Sequence, residues 1–450
     1  MAADLVIQSA TEELVNSLDF TLPSTSRYIT ARRQVKFFPS GASDFSPRGV
    51  RTARVLLSGD GGWLDPSSLR LSFKLHNDDP NNKLFLAGGP HVLFDRIRIS
   101  VGGNIVEDIG PVYGRIHHAF YNILAPQNWI ENEAVMNNMM HIDPARYPAH
   151  NPVQASPIAP GYYATCTLPI ACGLLKSGKM LPIRWAPVMI EATLCDAEFA
   201  VATHTAHSSA GNQTELSAGS RAYTIRQLAV HCAQIKLDDA AESKYAEVLL
   251  NARALSLPIK TVSCQVQSIP DGSTSFQLSL VRAMSRINAV FVSFTWDVPG
   301  PPGNGQVHNQ AMTVFANPSN AAPDSGGHPN HTERIMTAQL SIGSKQVPES
   351  PISSMGELFD NLQQAVDVYD QSLRTLAITP SQYALDSFIA GFNLAKVPGH
   401  YFTGLNSRSG DLTTLRFNNL ISGMTNIKVY VFTLHEGISE VREGGVSFYD

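Results

Sequence analysis

Short runs rich in β-branched and aromatic residues follow one another along this chain, and many alternate apolar with polar residues. "RLSFKL" puts Leu71, Phe73 and Leu75 on one face, and "RTARVLL", "HVLFDRIRISV", "PVMIEATL" and "NIKVYVFTL" continue the style. A period of two is the mark of strands with one buried face, which antiparallel sheets supply. Gly 32 and Pro 28 provide the turns that many short strands need. An all-β chain follows. At 450 residues it is too long for one core and divides into two or three domains.

The pattern also repeats. "ISVGGNIVEDI" at 99–109 matches "LSIGSKQVPES" at 340–350, with Ser100-Val101-Gly102 against Ser341-Ile342-Gly343 and Val106 against Val347. Each copy then enters a helix pattern. "PVYGRIHHAFYNIL" starts at Pro111 and spaces Val112, Ile116, Phe120 and Ile123 along one face. "SSMGELFDNLQQAV" opens on a capping box from Ser354 to Glu357. Strand, Gly turn, strand and helix, twice in order, predict two β-sandwiches in tandem. A third helix is expected in "LDDAAESKYAEVLLNA", capped by Asp239 with Glu242, and the boundary is placed near residue 252. The expected organisation is an arm at 1–27, one sandwich at 28–252 and another at 253–450.

Composition narrows the partners. Only 16% of residues are charged and the net charge is −5, so much of the surface is expected to face protein instead of water. The first twenty residues carry Asp4, Glu12, Glu13 and Asp19 without Lys or Arg. Such an arm suits phosphate backbones poorly, and no sequence-specific nucleic-acid binding is expected. Leu14, Val15 and Leu18 would let it dock as a short amphipathic helix on a partner or a membrane surface. No basic start and no long apolar block mark a secretory signal. The cysteines, 166, 172, 195, 232 and 264, have no metal-ligand spacing and suit buried thiols.

One stretch imitates a nucleotide site. "GLLKSGKM" (173–180) begins like a phosphate loop, but Met180 stands where Ser or Thr would hold Mg²⁺. Pro182 and Pro187 then stop the helix whose N-terminus would face the phosphate. A turn between strands is the expectation. Paired histidines (117 and 118, 204 and 207, 328 and 331) lack a ligand pattern, and "HNDDPNNK" (76–83) reads as a Pro-Asn turn instead of a calcium loop. No nucleophile elbow or triad pattern stands out. No catalytic, cofactor-binding or metal residues are expected. Asn212 and Asn330 lie in N-x-T sequons in polar loops.

Three stretches resemble the double jelly-roll major capsid proteins of eukaryotic double-stranded DNA viruses, a group spanning virophages, Polinton-like elements and nucleocytoplasmic large DNA viruses. "LPIACGLLKSGKMLPIRWAPVMIEATL" (168–194) is similar to that family's paired Leu-Pro strands, through Leu168-Pro169-Ile170, Leu181-Pro182-Ile183 and Ile190-Glu191. "LAVHCAQIKLDDAAESKYAEVLL" (228–250) resembles the strand, Leu-Asp turn and acidic helix that end the first jelly roll. "NIKVYVFTLHEGISEVREGGVSF" (426–448) resembles the C-terminal strand pair with its Gly444-Gly445 ending. Ala171-Cys172-Gly173 replaces an aromatic run of the large-virus members, which points to a smaller virus. The resemblance implies two tandem eight-stranded jelly rolls with short helices inserted in loops. It implies a homotrimer forming pseudo-hexagonal capsomers of an icosahedral virion shell, made in the host cytoplasm. Penton and minor capsid proteins would be partners, as would an internal membrane met through the arm. The insertions 107–160 and 297–335 would supply contacts between subunits. No enzyme activity is implied. A carbohydrate-directed double β-sandwich is the rival reading.

Overall fold

A computed structural model describes residues 28–450 except 60–61, 85, 87–88, 127–128, 130–157, 202–203, 209–213, 219, 252, 298–314, 320–335, 367–375, 377, 379, 386, 398–399, 409–411, 421–424, 443–444 and 450. The arm, Asn212, Asn330, His328, His331 and Gly444 lie outside the described residues, as does much of both insertions.

The first half contains β1 (Ile29–Phe37), β2 (Asp44–Phe45), β3 (Thr52–Leu57), β4 (Trp63–Asn77), β5 (Phe94–Val101), β6 (Asn104–Ile109), β7 (Tyr163–Leu168), β8 (Val188–Leu194), β9 (His204–Ser208), β10 (Thr214–Ala218) and β11 (Tyr223–Leu237). The second contains β12 (Leu255–Ile269), β13 (Ser275–Ser279), β14 (Ile287–Asp297), β15 (Thr337–Ile342), β16 (Lys345–Ile352), β17 (Ala390–Asn393), β18 (Thr413–Asn418), β19 (Thr425–Arg442) and β20 (Gly445–Tyr449). Two large sheets form in each half, β1-β11-β4-β7 with β3-β8-β5-β6 and β12-β19-β14-β17 with β13-β18-β15-β16, and β9 pairs with β10 apart from them. Setting aside β2, β9, β10 and β20, both halves pair their strands in the order 1-8-3-6 and 2-7-4-5. That wrapped order is the jelly roll, and it occurs twice.

Alternation positions each core. Leu71, Phe73 and Leu75 are buried on β4 and face Phe94, Ile97 and Ile99 of the opposite sheet, with Phe73 edge-on to Phe94 at 5.7 Å. Phe294 meets Phe276 and Phe417 in the same way in the second roll. Full burial of each such side chain contributes about 1.5–3 kcal/mol. The duplicated motif becomes the β5–β6 and β15–β16 hairpins, turning at left-handed glycines, Gly102 (φ 57°) and Gly343 (φ 58°). β-branched residues are strained at such angles, so the shared glycine is what the repeat requires.

The helices depart from expectation in three details. Pro111 lies outside its helix, which starts at Tyr113, because Val112 adopts φ 72° while its N–H bonds Asp95 Oδ1. The helix runs to His118 and widens into a π turn over Ala119–Ile123. Asp239 does not cap Asp239–Leu250: it is already helical, Asp238 is the cap, and Glu242 reaches Arg184 at 2.5 Å instead. The box at Met355–Ala365 does form, with Glu357 N–H donating to Ser354 Oγ (3.1 Å) and Ser353 N–H to Glu357 Oε2 (2.9 Å).

Candidate functional site

The segment 169–187 joins β7 to β8. Gly173–Met180 is a turn with one 3-10 stretch, Leu174–Lys176, and Lys179 is exposed. The second Leu-Pro is not a strand: Leu181 bridges Leu64 and a turn follows, so β8 begins only at Val188. The N–H groups that a phosphate loop would aim at an anion are occupied by a carboxylate of the same chain. Glu107, 3% exposed on β6, accepts from Gly173 N–H (3.0 Å), Leu174 N–H (2.8 Å) and the Cys172 thiol. Burial, with the Glu107 charge beside it, pushes the Cys172 thiol well up, so it stays a donor. The nest is real and its anion is internal. Glu107→Gln should lower unfolding free energy by about 1–3 kcal/mol, because an amide NH₂ must face one of those buried donors. Urea unfolding measures it, and an unchanged midpoint would contradict this role.

That turn lies on the seam between the two rolls. A Cβ on Gly173 would stand 1.8 Å from Lys260 O of β12, so only glycine lets the backbones approach. Asn104 Nδ2 donates to Val446 O of β20 at 2.6 Å, and Gly102 packs on the Val446 side chain. The helix Tyr113–His118 plugs the rest. Arg115 is fully buried, its guanidinium 4.0 Å from the Phe315 ring centre and 4.3 Å from that of Tyr430. Its Nη2 donates to Ser293 Oγ (3.1 Å) and Phe294 O (3.3 Å). Burial lowers its pKa to about 9, which leaves it charged at neutral pH. Phe120 stands edge-on to Phe291 at 5.5 Å.

Beside Arg115 runs a column of rings. His117 stacks on His91 (4.9 Å) and Tyr121 (4.5 Å), and His91 Nε2 meets His118 Nδ1 at 3.0 Å. His117 Nε2 faces Pro169 O at 3.1 Å. His117 and His118, considered above as ligands, are therefore stacked and hydrogen-bonded, and no three potential ligands converge among the described residues. His204 and His207 fall on β9, where only the backbone is described. Burial, helped by the Lys176 charge, holds His117 down at about 3. A histidine depressed in the fold gives stability that is full above its unfolded pKa of 6.5. That stability is lost as pH falls from there toward 3, by about 1.4 kcal/mol per pH unit. Denaturation curves from pH 7.5 to 4 should therefore fall more steeply for the native protein than for His117→Gln. Parallel curves would refute this.

The outward sheet faces differ. On β3-β8-β5-β6, Glu191 bridges Arg54 (2.8 Å) and Arg98 (3.4 Å), and Asp108 bridges Arg96 and Arg98, so each of these guanidiniums has a carboxylate partner. On β1-β11-β4-β7, Lys36 stands opposite His231, His231 opposite Arg70, and Lys74 opposite Arg226. Lys36 and Lys74 have no carboxylate partner among the described residues; Lys74 lies 4.7 Å above the Tyr163 ring. Two concavities open beside these strands. One of about 560 Å³ is bordered by Asp65, Arg70, Tyr121, Trp129 and Lys176. The other, of about 500 Å³, is bordered by Phe38, Asp44, Lys74, His76 and Arg226. Sequence reasoning missed Glu107, Arg115 and His91. The signal for Glu107 was its spacing in the repeated hairpin, where a period of two puts it on the same strand face as Ile109.

No family model matches the chain, and no curated protein matches it in sequence. Solved structures do. The chain is similar to the Faustovirus major capsid protein with a TM-score of 0.57 at 10% identity, over 99% of this chain and 94% of that one. For the mavirus major capsid protein the TM-score is 0.51 at 10% identity, over 97% and 93%. For the PBCV-1 virus capsid it is 0.59 at 11% identity, over 96% and 99%. At such identities the likeness is one of fold, and it extends across both jelly rolls.

Proposed function

We propose that this chain is a major capsid protein, a structural subunit and not an enzyme, whose copies associate into trimers that tile an icosahedral virion shell. The observation that carries this reading is the pair of identically wound jelly rolls, aligned over nearly the full length of two major capsid proteins. Three copies of a two-roll chain present six similar walls, so one gene product fills a near-hexagonal tile. The organisation that serves this is an arm at 1–27 and rolls at 28–252 and 253–450. The arm would meet an inner layer or membrane, and penton and minor proteins would complete a particle assembled in the host cell. Light scattering on the purified protein should give about three chains per particle at micromolar concentration, and negative-stain images should show a six-sided outline. A stable monomer at that concentration would refute the reading.

A further inference from the structure

The column of rings beside Arg115 runs from one roll to the other. Tyr121 and Trp129, with ring centres 5.6 Å apart, form its outer end at the concavity of about 560 Å³. His117 and His91 follow, and His118 stacks on Phe315 of the second roll at 5.7 Å. The same Phe315 ring carries the Arg115 guanidinium, so the helix Tyr113–His118 holds the second roll through both side chains. Hydrogen bonding limits the protons this column can take. Pro169 O can only accept, so His117 Nε2 bears the hydrogen and Nδ1 the lone pair. That Nδ1 is buried without a hydrogen-bond partner among the described residues, so a proton added there meets no acceptor. His91 Nε2 and His118 Nδ1 share one hydrogen. The pair keeps that bond with one added proton and loses it with two.

We propose that the seam between the rolls is an acid-operated latch: as the column takes up protons, the helix Tyr113–His118 leaves Phe315 and the two rolls part, each sandwich staying folded. The groups around the column favour this. Arg115 on the same helix, Lys176 at 4.5 Å from the Tyr121 ring centre and Arg70 across the concavity are cations. The carboxylates are committed elsewhere: Glu107 to Gly173 and Leu174 N–H, Asp65 to Arg32 and Ser67, and Asp95 to Val112 N–H. The Tyr113 hydroxyl accepts from Ala171 N–H, and burial keeps it neutral. Burial and the Lys176 charge keep His117 neutral while the seam is closed, and opening returns it to an ordinary imidazole. Opening is therefore favoured as pH falls below about 6.5, by about tenfold per pH unit from His117 alone. Acid places no charge on the ring contacts inside each sandwich, Phe73 with Phe94 and Phe294 with Phe417. The latch is a property of one chain and stands whether or not that chain builds a capsid.

The free cysteines of the native protein report the opening. Cys172 is buried at the seam beneath Glu107, while Cys166 and Cys232 are buried inside the first sandwich. The protein is treated at pH 7.5 and at pH 5 with a pyridyl disulfide, which modifies thiols in acid as well as at neutrality. Each rate is divided by that of the denatured protein at the same pH, and peptide mapping assigns it to a cysteine. Cys172 should react about tenfold faster or more at pH 5, with Cys166, Cys232 and the far-UV dichroism unchanged. Return to pH 7.5 should restore protection. In His117→Gln the rise at Cys172 should vanish or move about one pH unit lower. Native Cys172 that is equally protected at both pH values overturns the latch, whatever the variant does. A rise shared by all three cysteines shows the fold melting as a whole, and overturns it too. A rise that persists unchanged in folded His117→Gln assigns the acid response to a carboxylate such as Glu107, and overturns the role of the histidines.

Discussion

Gly173→Ala is expected to cost about 3 kcal/mol or more of unfolding free energy, the upper end for overpacking, because the added methyl meets a backbone oxygen and not a yielding side chain. The new Cβ would sit 1.8 Å from Lys260 O and 3.0 Å from Ile259 Cγ2. Relief requires the turn and β12 to separate, which also drags Gly173 and Leu174 N–H away from Glu107. Gly178→Ala in the same turn is the control. Its φ of 70° is left-handed but nothing lies within 4 Å, so only the conformational cost of about 1 kcal/mol remains. Guanidinium unfolding of both variants would separate them. Equal and small losses would mean that the rolls do not depend on this close approach.

Arg115→Ala should be comparably severe, at about 3–5 kcal/mol. It removes a large side chain from a fully buried site and deserts two aromatic faces, Ser293 Oγ and a backbone carbonyl. Arg115→Lys keeps the charge but not the flat fork that lies between two rings, and should recover less than half of the loss. Limited proteolysis alongside unfolding would show where the damage falls. If the seam is what fails, cleavage should increase in the 169–187 turn before it increases within either sheet. An alanine variant within 1 kcal/mol of the native protein would remove Arg115 from any structural role.

Much of the fold could be read in the sequence because its signals are local. Alternation at Leu71, Phe73 and Leu75 marks a half-buried strand without knowledge of the partner sheet. The repeated Gly102 and Gly343 record a backbone angle, and Ser354 with Glu357 record a helix start, each within a few residues. The seam was not legible, because its meaning lies in pairs far apart. Gly173 reads in the sequence as part of a turn, but spacing does not announce Glu107 and Lys260, which hold it on either side. Arg115 falls between the apolar positions Val112 and Ile116 of its helix pattern, and nothing in that pattern shows that a second roll covers it with Ser293 and Tyr430. The capping error at Asp239 has the same origin. Glu242 is drawn away by Arg184, an ion pair across 58 residues that spacing cannot announce.

The wrapped strand order has a temporal consequence. In each roll the eighth strand of the shared order lies between the first and the third, so Ile29 pairs with Leu237 and Leu255 with Val441. During synthesis, β1 and β4 leave the ribosome long before β11 exists to fill the gap between them. At about 5–20 residues per second that wait is on the order of ten seconds or more. Neither sandwich can close progressively; each snaps shut when its final strand arrives, the first while the second is still being translated. A cell making many copies at once therefore carries a standing population of nascent chains with bare strand edges, and chaperone supply, more than ribosome speed, would set how fast folded chains accumulate.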